Sequence, residues 1–357
     1  MEAILRQLIS YPTVAGDQVA MHRLLDFVAD FLAHRDMHIE WFESNGSESI
    51  MATVRQGHKT PKILLGAHAD VVPADESEFV LQVADGRYFG RGSLDMKFAI
   101  AAYMQLIDGL YQAGDLADKD LAIMVTTDEE SGGRDGVAKL VDEGYLPGVC
   151  ILPDGGDNWH IQTASKGFWA FEISMEGTSV HGSRHWQGDN AITKLLAVYN
   201  EIETLFPELQ GKDTNSISLT QLNGGVAMNQ VPSSAVMLID VRTVNRAEHA
   251  RLYEAITAIC HRHGAGYQHI SDCSPTTSDL NDPYIAPFAE LVTKHTGVKQ
   301  TGFYALGASD IRFFVPFGVP CISVYPEGDN LHANGEWISI EALNQFLAIL
   351  QEYIEAV

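Results

Sequence analysis

Four apolar runs, each closed by a histidine or an acid, restrict what this chain can become. Ile63-Leu64-Leu65-Gly66-Ala67 leads into His68 and Asp70, and Leu121–Val125 leads into Asp128-Glu129-Glu130. Val149–Leu152 leads into Asp154, and Cys321–Tyr325 leads through Glu327 and Asp329 to His332. Short apolar runs without polar alternation read as strands buried on both faces, the pattern of a parallel sheet. In open α/β sheets, ligands gather beyond the carboxyl ends of the strands. If the four runs share a sheet, their histidines and acids converge. Acids crowded at the end of a buried strand are costly unless they are solvated, neutralised or metal-bound. The repetition therefore points to a metal centre.

Each residue taken alone has a plainer reading. His68 and Asp70 stand two apart, so in an extended chain they face the same side. That suits a ligand and the carboxylate that fixes its tautomer, and equally a strand-end histidine paired with a nearby acid. Asp95 precedes an apolar helix expected from about Met96 to Tyr111, with Gly114 as its C-cap. An acid there ordinarily stabilises the helix N-terminus.

The flanking chain reads as α/β. Helices are expected over 2–9 and 17–35, the second capped by Asp17, and short strands over 38–42 and 50–54. The middle has another rhythm. A strand at Phe168–Met175, a helix at Asn190–Leu205, strands at Ser216–Leu222 and Ala235–Val241, a helix at Arg246–His263 and a strand at Tyr267–Ile270 follow in order. This β-α-β-β-α-β sequence is that of a ferredoxin-like unit. It sits between the third and fourth apolar runs, with boundaries expected near Lys166-Gly167 and Ser274-Pro275. The domain reading is 1–165 and 275–357 for a metal-binding domain in two parts, and 166–274 for the insert. Helices over 283–295 and 340–354 complete the tail.

The formal charge of −24, from 23 Lys+Arg against 47 Asp+Glu, argues against nucleic acid and anionic membranes as partners. No apolar run approaches the ~20 residues of a membrane span. The N-terminus lacks the basic head and apolar core of a secretory signal. Cys150, Cys260, Cys273 and Cys321 are scattered without a C-x-x-C pair. A reducing, cytoplasmic setting is expected.

Nine short motifs in order complete the reading. They are GAHADVVPA at 66–74, GRGSLDMK at 90–97, TTDEESGG at 126–133, PDGG at 153–156, SVHGSR at 179–184, NGG with NQVP at 223–232, DVR at 240–242, GASD at 307–310 and LHANGE at 331–336. In this set the chain resembles the M20 metallopeptidases and amidohydrolases, a family of desuccinylases, deacylases, aminoacylases and carboxypeptidases. The resemblance implies a zinc-peptidase-like mixed sheet flanked by helices, with an inserted ferredoxin-like lid through which two chains form a homodimer. It implies two Zn2+, with Co2+ or Mn2+ as substitutes. His68 and Asp154 would hold one ion and Glu130 and His332 the other. Asp95 would bridge them, Asp70 would orient His68, and Glu129 would be the general base. His181 would stabilise the tetrahedral oxyanion, often across the dimer. Asn229 and Arg242 would hold the substrate, and Gly307 and Ser309 would line its pocket. Arg242 also has the plain reading of an ion-pair partner. A cis peptide is implied at Asp95–Met96.

Three positions depart from the family pattern. Asp154 stands where several members carry Glu, Phe98-Ala99 replaces a glycine pair, and His185-Trp186 follows SVHGSR where a proline is common. The expected activity is hydrolysis of an amide or peptide bond beside a free carboxylate, in an N-acyl amino acid or a small peptide. A dipeptidase or aminopeptidase of the same family is the alternative within the class. A non-catalytic ligand-binding protein on the same scaffold is the alternative outside it.

Overall fold

A computed structural model describes all residues, 1–357, and the chain divides into two compact units. The first comprises Met1–Thr163, Thr277–Tyr304 and Ser309–Val357; the second comprises Ala164–Thr276 and Ala305–Ala308.

The first unit is built on a six-stranded sheet. Its order across the sheet is His38–Ser44, Ser47–Thr53, Leu121–Thr126, Ile63–His68, Val149–Ile151, Cys321–Ile322. The last four strands are mutually parallel, and they are the four apolar runs. Every residue of Ile63–His68 and Leu121–Thr126 is buried, as a strand covered on both faces requires. The other two strands form an antiparallel hairpin that joins the sheet through Leu121–Thr126. Its turn is Asn45-Gly46, with φ of 46° and 86° at the two positions, the positive pair demanded by a type I′ turn.

Helix Lys97–Ala113 lies in the core, and Gly114 ends it at φ 82° in the left-handed region. Phe98, one of the departures, is fully buried with its ring edge-on to Phe346 of helix Ile340–Ala356, 5.4 Å between centroids. The volume of the aromatic ring is thus taken up by helix–helix packing. Asp17 caps helix Gln18–Ala33 by accepting from Ala20 N.

A second small sheet of the same unit escaped the sequence reading. Its order is Gly328–Asp329, Trp337–Ser339, Arg87–Phe89, Gln82–Ala84, all antiparallel. His332 lies in the turn between the first two strands, and the Gly90–Asp95 loop leaves the end of the third. Pairing Trp337 with Phe89 brings those two loops to one place.

The second unit is an antiparallel sheet ordered Ser216–Gly224, Ser234–Thr243, Gly167–Glu176, Gly266–Cys273. Burial alternates strictly along Gly167–Glu176 and Ser234–Thr243. One face therefore packs its own core: Trp169, Phe171 and Ile173 meet Leu195 and Val198 of helix Ala191–Glu203 and Ile256 of helix Arg246–Arg262. The β-α-β-β-α-β order is that of a split βαβ unit.

Candidate metal centre

The parallel strands of the first unit end at one edge, and the loops that follow carry the acids. His68 closes its strand opposite Thr126, so the Asp128–Glu130 segment begins beside it. Asp154 follows the neighbouring strand Val149–Ile151. The small sheet supplies Asp95 and His332 from the side. The Asp95–Met96 peptide is cis.

The side chains form two groups. Ligand atoms of His68, Glu129 and Asp154 lie within 4.8 Å of one another, as do those of Asp95, Glu130 and His332. Asp95 touches both sides: Oδ1 is 3.1 Å from His68 Nε2, and Oδ2 is 3.0 Å from His332 Nε2. His332 Nε2 is also 3.4 Å from Glu130 Oε1. His68 Nδ1 is held by the backbone carbonyl of Asp70 at 2.9 Å, with the Asp70 carboxylate Oδ1 at 3.5 Å. The other Asp70 oxygen accepts from Glu130 N at 2.9 Å, so this residue fixes one imidazole and the backbone of the opposite acid.

Charge at this edge is unbalanced. Burial and the neighbouring Asp95 charge push the Asp154 carboxyl up to about 8. Burial, then the charges of Asp154 and Asp310, raise Glu129 well above the carboxylate range. Burial pushes Asp95 up, but the hydrogen bonds of His332 and His68 outweigh it and hold its carboxyl far below the usual range. Hydrogen bonds to Asp95 and Glu130 raise His332 to about 10. Asp154 Oδ2 and Asp70 Oδ1 are buried without a hydrogen-bond partner. Mixed carboxylate and imidazole donors with lone pairs left over suit divalent zinc, cobalt or manganese. A cation between such acids removes their mutual repulsion. The residues present therefore fit a metal centre.

Two side chains missed by the sequence reading border it. Tyr325 Oη hydrogen-bonds Asp154 Oδ1 at 2.7 Å and Asp95 Oδ1 at 3.1 Å. Arg312 donates to the Gly132 carbonyl at 2.7 Å, with Glu129 Oε1 at 3.9 Å and Asp310 Oδ1 at 3.3 Å. Their only signal was position: a tyrosine ending the fourth apolar run, and an arginine just past GASD.

The other expected residues are distributed as follows. Ser309 is buried in the first unit with its hydroxyl unpartnered, and Gly307 is exposed in the second. His181 and Asn229 are exposed residues of the second unit. They are brought together there, since His181 bridges Gln230 and Gly182 N donates to the Asn229 carbonyl at 2.7 Å. Arg242 makes a two-pronged ion pair with Asp240, at 2.9 and 3.0 Å, and stacks over Phe168 at 4.4 Å. Its ion-pair reading is thus realised in this state.

Residues 64–356 match the family described as peptidase family M20/M25/M40. The succinyl-diaminopimelate desuccinylase of Halorhodospira halophila is 24% identical, covering 98% of this chain and 96% of that protein. The desuccinylase of Bordetella petrii is 25% identical, covering 99% and 96%. Among solved structures, a tripeptidase from Staphylococcus aureus superposes with a TM-score of 0.78 at 16% identity, covering 99% of this chain and 98% of that one. An M20 family metallo-carboxypeptidase from Sulfolobus solfataricus does so with 0.78 at 15%, with the same coverage.

Proposed function

The chain belongs to peptidase family M20/M25/M40, and from that premise we propose that it is a dinuclear, zinc-dependent hydrolase of an amide or peptide bond beside a free carboxylate. The observation that carries this reading is Asp95, whose two oxygens face His68 on one side and His332 on the other. His68 and Asp154 would hold one ion, Glu130 and His332 the second, and Asp95, which faces both histidines, would be shared between them. Asp70 orients His68. When bound, two such cations polarise the scissile carbonyl and acidify water.

Glu129 is the general base. It sits with His68 and Asp154 at the strand-end edge. It accepts a proton from the attacking water at a carboxylate oxygen. It then returns that proton to the amine nitrogen as the C–N bond breaks, so acid and base work fall to one side chain. His181 donates to the oxyanion that develops, and Asn229, Arg242, Gly307 and Ser309 bind the substrate. Arg242 offers a planar fork matched to a carboxylate, and it must leave Asp240 to do so.

N-acyl amino acids are the first substrate class, supported by end-to-end similarity to proteins named desuccinylases. Small peptides are the second, supported by fold similarity to a tripeptidase and to a dipeptidase from Saccharomyces cerevisiae. A cytoplasmic homodimer pairing through the second unit as a lid completes the proposal. All four cysteines are buried thiols, in keeping with a reducing compartment.

A hydrolysis screen of N-acyl amino acids and dipeptides, with zinc, cobalt and manganese supplied separately, tests the activity. Glu129→Gln is expected to lower kcat by roughly 10²–10⁴-fold with metal content unchanged. Metal-independent turnover, or a Glu129→Gln variant as fast as the parent, would overturn the reading. No hydrolysis of any compound would favour a binding protein. A purely monomeric light-scattering mass would remove any role for His181 across a dimer.

A further inference from the structure

Glu336 is fully buried, and each of its carboxylate oxygens takes two donors from a single loop. Oε1 accepts from Leu94 N at 2.7 Å and Asp95 N at 2.9 Å. Oε2 accepts from Gly92 N at 3.0 Å and from the Arg91 guanidinium at 2.7 Å. The Glu336 carbonyl takes Gly90 N at 3.0 Å and the Ser93 hydroxyl at 3.2 Å. A carboxylate offers about four acceptor positions, and here all are used.

The Gly90–Asp95 loop is neither helix nor strand, so its buried N–H groups have no regular partners. Glu336 supplies them. It also stands four residues beyond His332, and Arg91 spans the gap by donating to the Ala333 carbonyl at 3.0 Å. One carboxylate therefore ties the backbone of Asp95 to the loop that carries His332.

Resting on the dinuclear reading above, we infer that Glu336 is a positioning residue for the metal centre: its carboxylate holds the Asp95 backbone so that Oδ1 and Oδ2 point to opposite ions. A carboxylate that only filled space would, once the protein is folded, leave metal affinity alone. One that aims Asp95 changes affinity, and only while Asp95 is there to be aimed.

The test is a double-mutant cycle on the full chain, read by equilibrium dialysis against Co2+, with near-UV circular dichroism reporting the fold. Glu336→Gln is expected to stay folded and bind Co2+ roughly 10–100-fold more weakly, the range for groups that orient metal ligands. Asp95→Asn is expected to weaken binding at least as much. The double variant is expected to match Asp95→Asn within about twofold. A folded Glu336→Gln protein with parental affinity, or a double variant whose loss is the product of the two single losses, overturns the inference and leaves the dinuclear reading standing. Parental affinity in Asp95→Asn overturns the dinuclear reading itself, and this inference with it. Should the Glu336→Gln variant not fold, Glu336→Asp, which keeps the charge and retracts it by one methylene, is judged by the same outcomes.

Discussion

Tyr325 has one proton and two carboxylate neighbours. Its hydroxyl lies 2.7 Å from Asp154 and 3.1 Å from Asp95, with Tyr325 and Asp95 buried and Asp154 half-buried. Phenylalanine at this position keeps the ring and deletes the donor, leaving two carboxylate oxygens to orient themselves. Tyr325→Phe is therefore expected to fold normally and to bind zinc roughly 10-fold more weakly, at the low end for lost outer hydrogen bonds to ligands. Competition with a chromophoric chelator measures this, and an affinity within about twofold of the parent would count against it. The residue scale is also where the sequence was least informative. The convergence of His68, Glu129, Glu130, Asp154 and His332 follows from apolar runs that end in histidines and acids, whereas Asp95, by itself an ordinary helix-start acid, is singled out only by the family resemblance. A tyrosine at the end of an apolar run looks like core, and nothing local marks its hydroxyl as facing acids from two other loops. Arg242 illustrates the opposite case. Its partner Asp240 is two residues away on the same strand face, a contact that spacing alone makes available.

Among the elements, the four parallel strands and the split βαβ unit could be read because each is a continuous apolar or alternating stretch. The small sheet could not. It consists of two local hairpins whose strands are only two or three residues long, and the one pairing that joins them, Phe89 with Trp337, spans more than 240 positions, so no local window contains that link. Yet this sheet joins the Asp95 and His332 loops. His332 itself has φ 59°, in the left-handed region, a conformation that side chains other than glycine take at a cost. The loop after Leu121–Thr126 shows how tightly such segments are held. Gly133 has φ 60°, and a Cβ there would lie 2.0 Å from Asp310 Oδ1. Asp310 is buried beside Arg312 and has nowhere to retreat. Gly57 has a similar φ of 68° with nothing near its would-be Cβ. Gly57→Ala is expected to lower unfolding free energy by about 1 kcal/mol from backbone strain alone. Gly133→Ala should add roughly 1–3 kcal/mol of overpacking and disturb the Glu129–Glu130 turn. Urea denaturation of the pair separates the two contributions, and equal losses would rule out the collision.

For the whole molecule, the division of labour has a thermodynamic consequence. Every side chain of the two candidate ligand groups belongs to the first unit, while the second has a core of its own around Trp169 and Met237. A ligand that binds only the native state stabilises what it touches, by about 2.7 kcal/mol at 100 times its Kd. The formal charge of −24 draws cations in general, and loosely held surface ions would spread their effect over both units. A specific centre would not. Hydrogen exchange with and without zinc distinguishes these cases, because local opening reports local stability. Zinc is expected to slow exchange at 68–70 and in the loops at 90–96, 127–133, 153–156 and 330–336, and chelation to restore it. Helix Arg246–Arg262, which packs in the second unit's core, should exchange alike in both states. Protection spread evenly over the two units would mean that the acids at the sheet edge attract metal as a charged surface does, without gripping it. Protection confined to these five segments requires that their side chains close on ions together, because no one of them carries a complete ligand set.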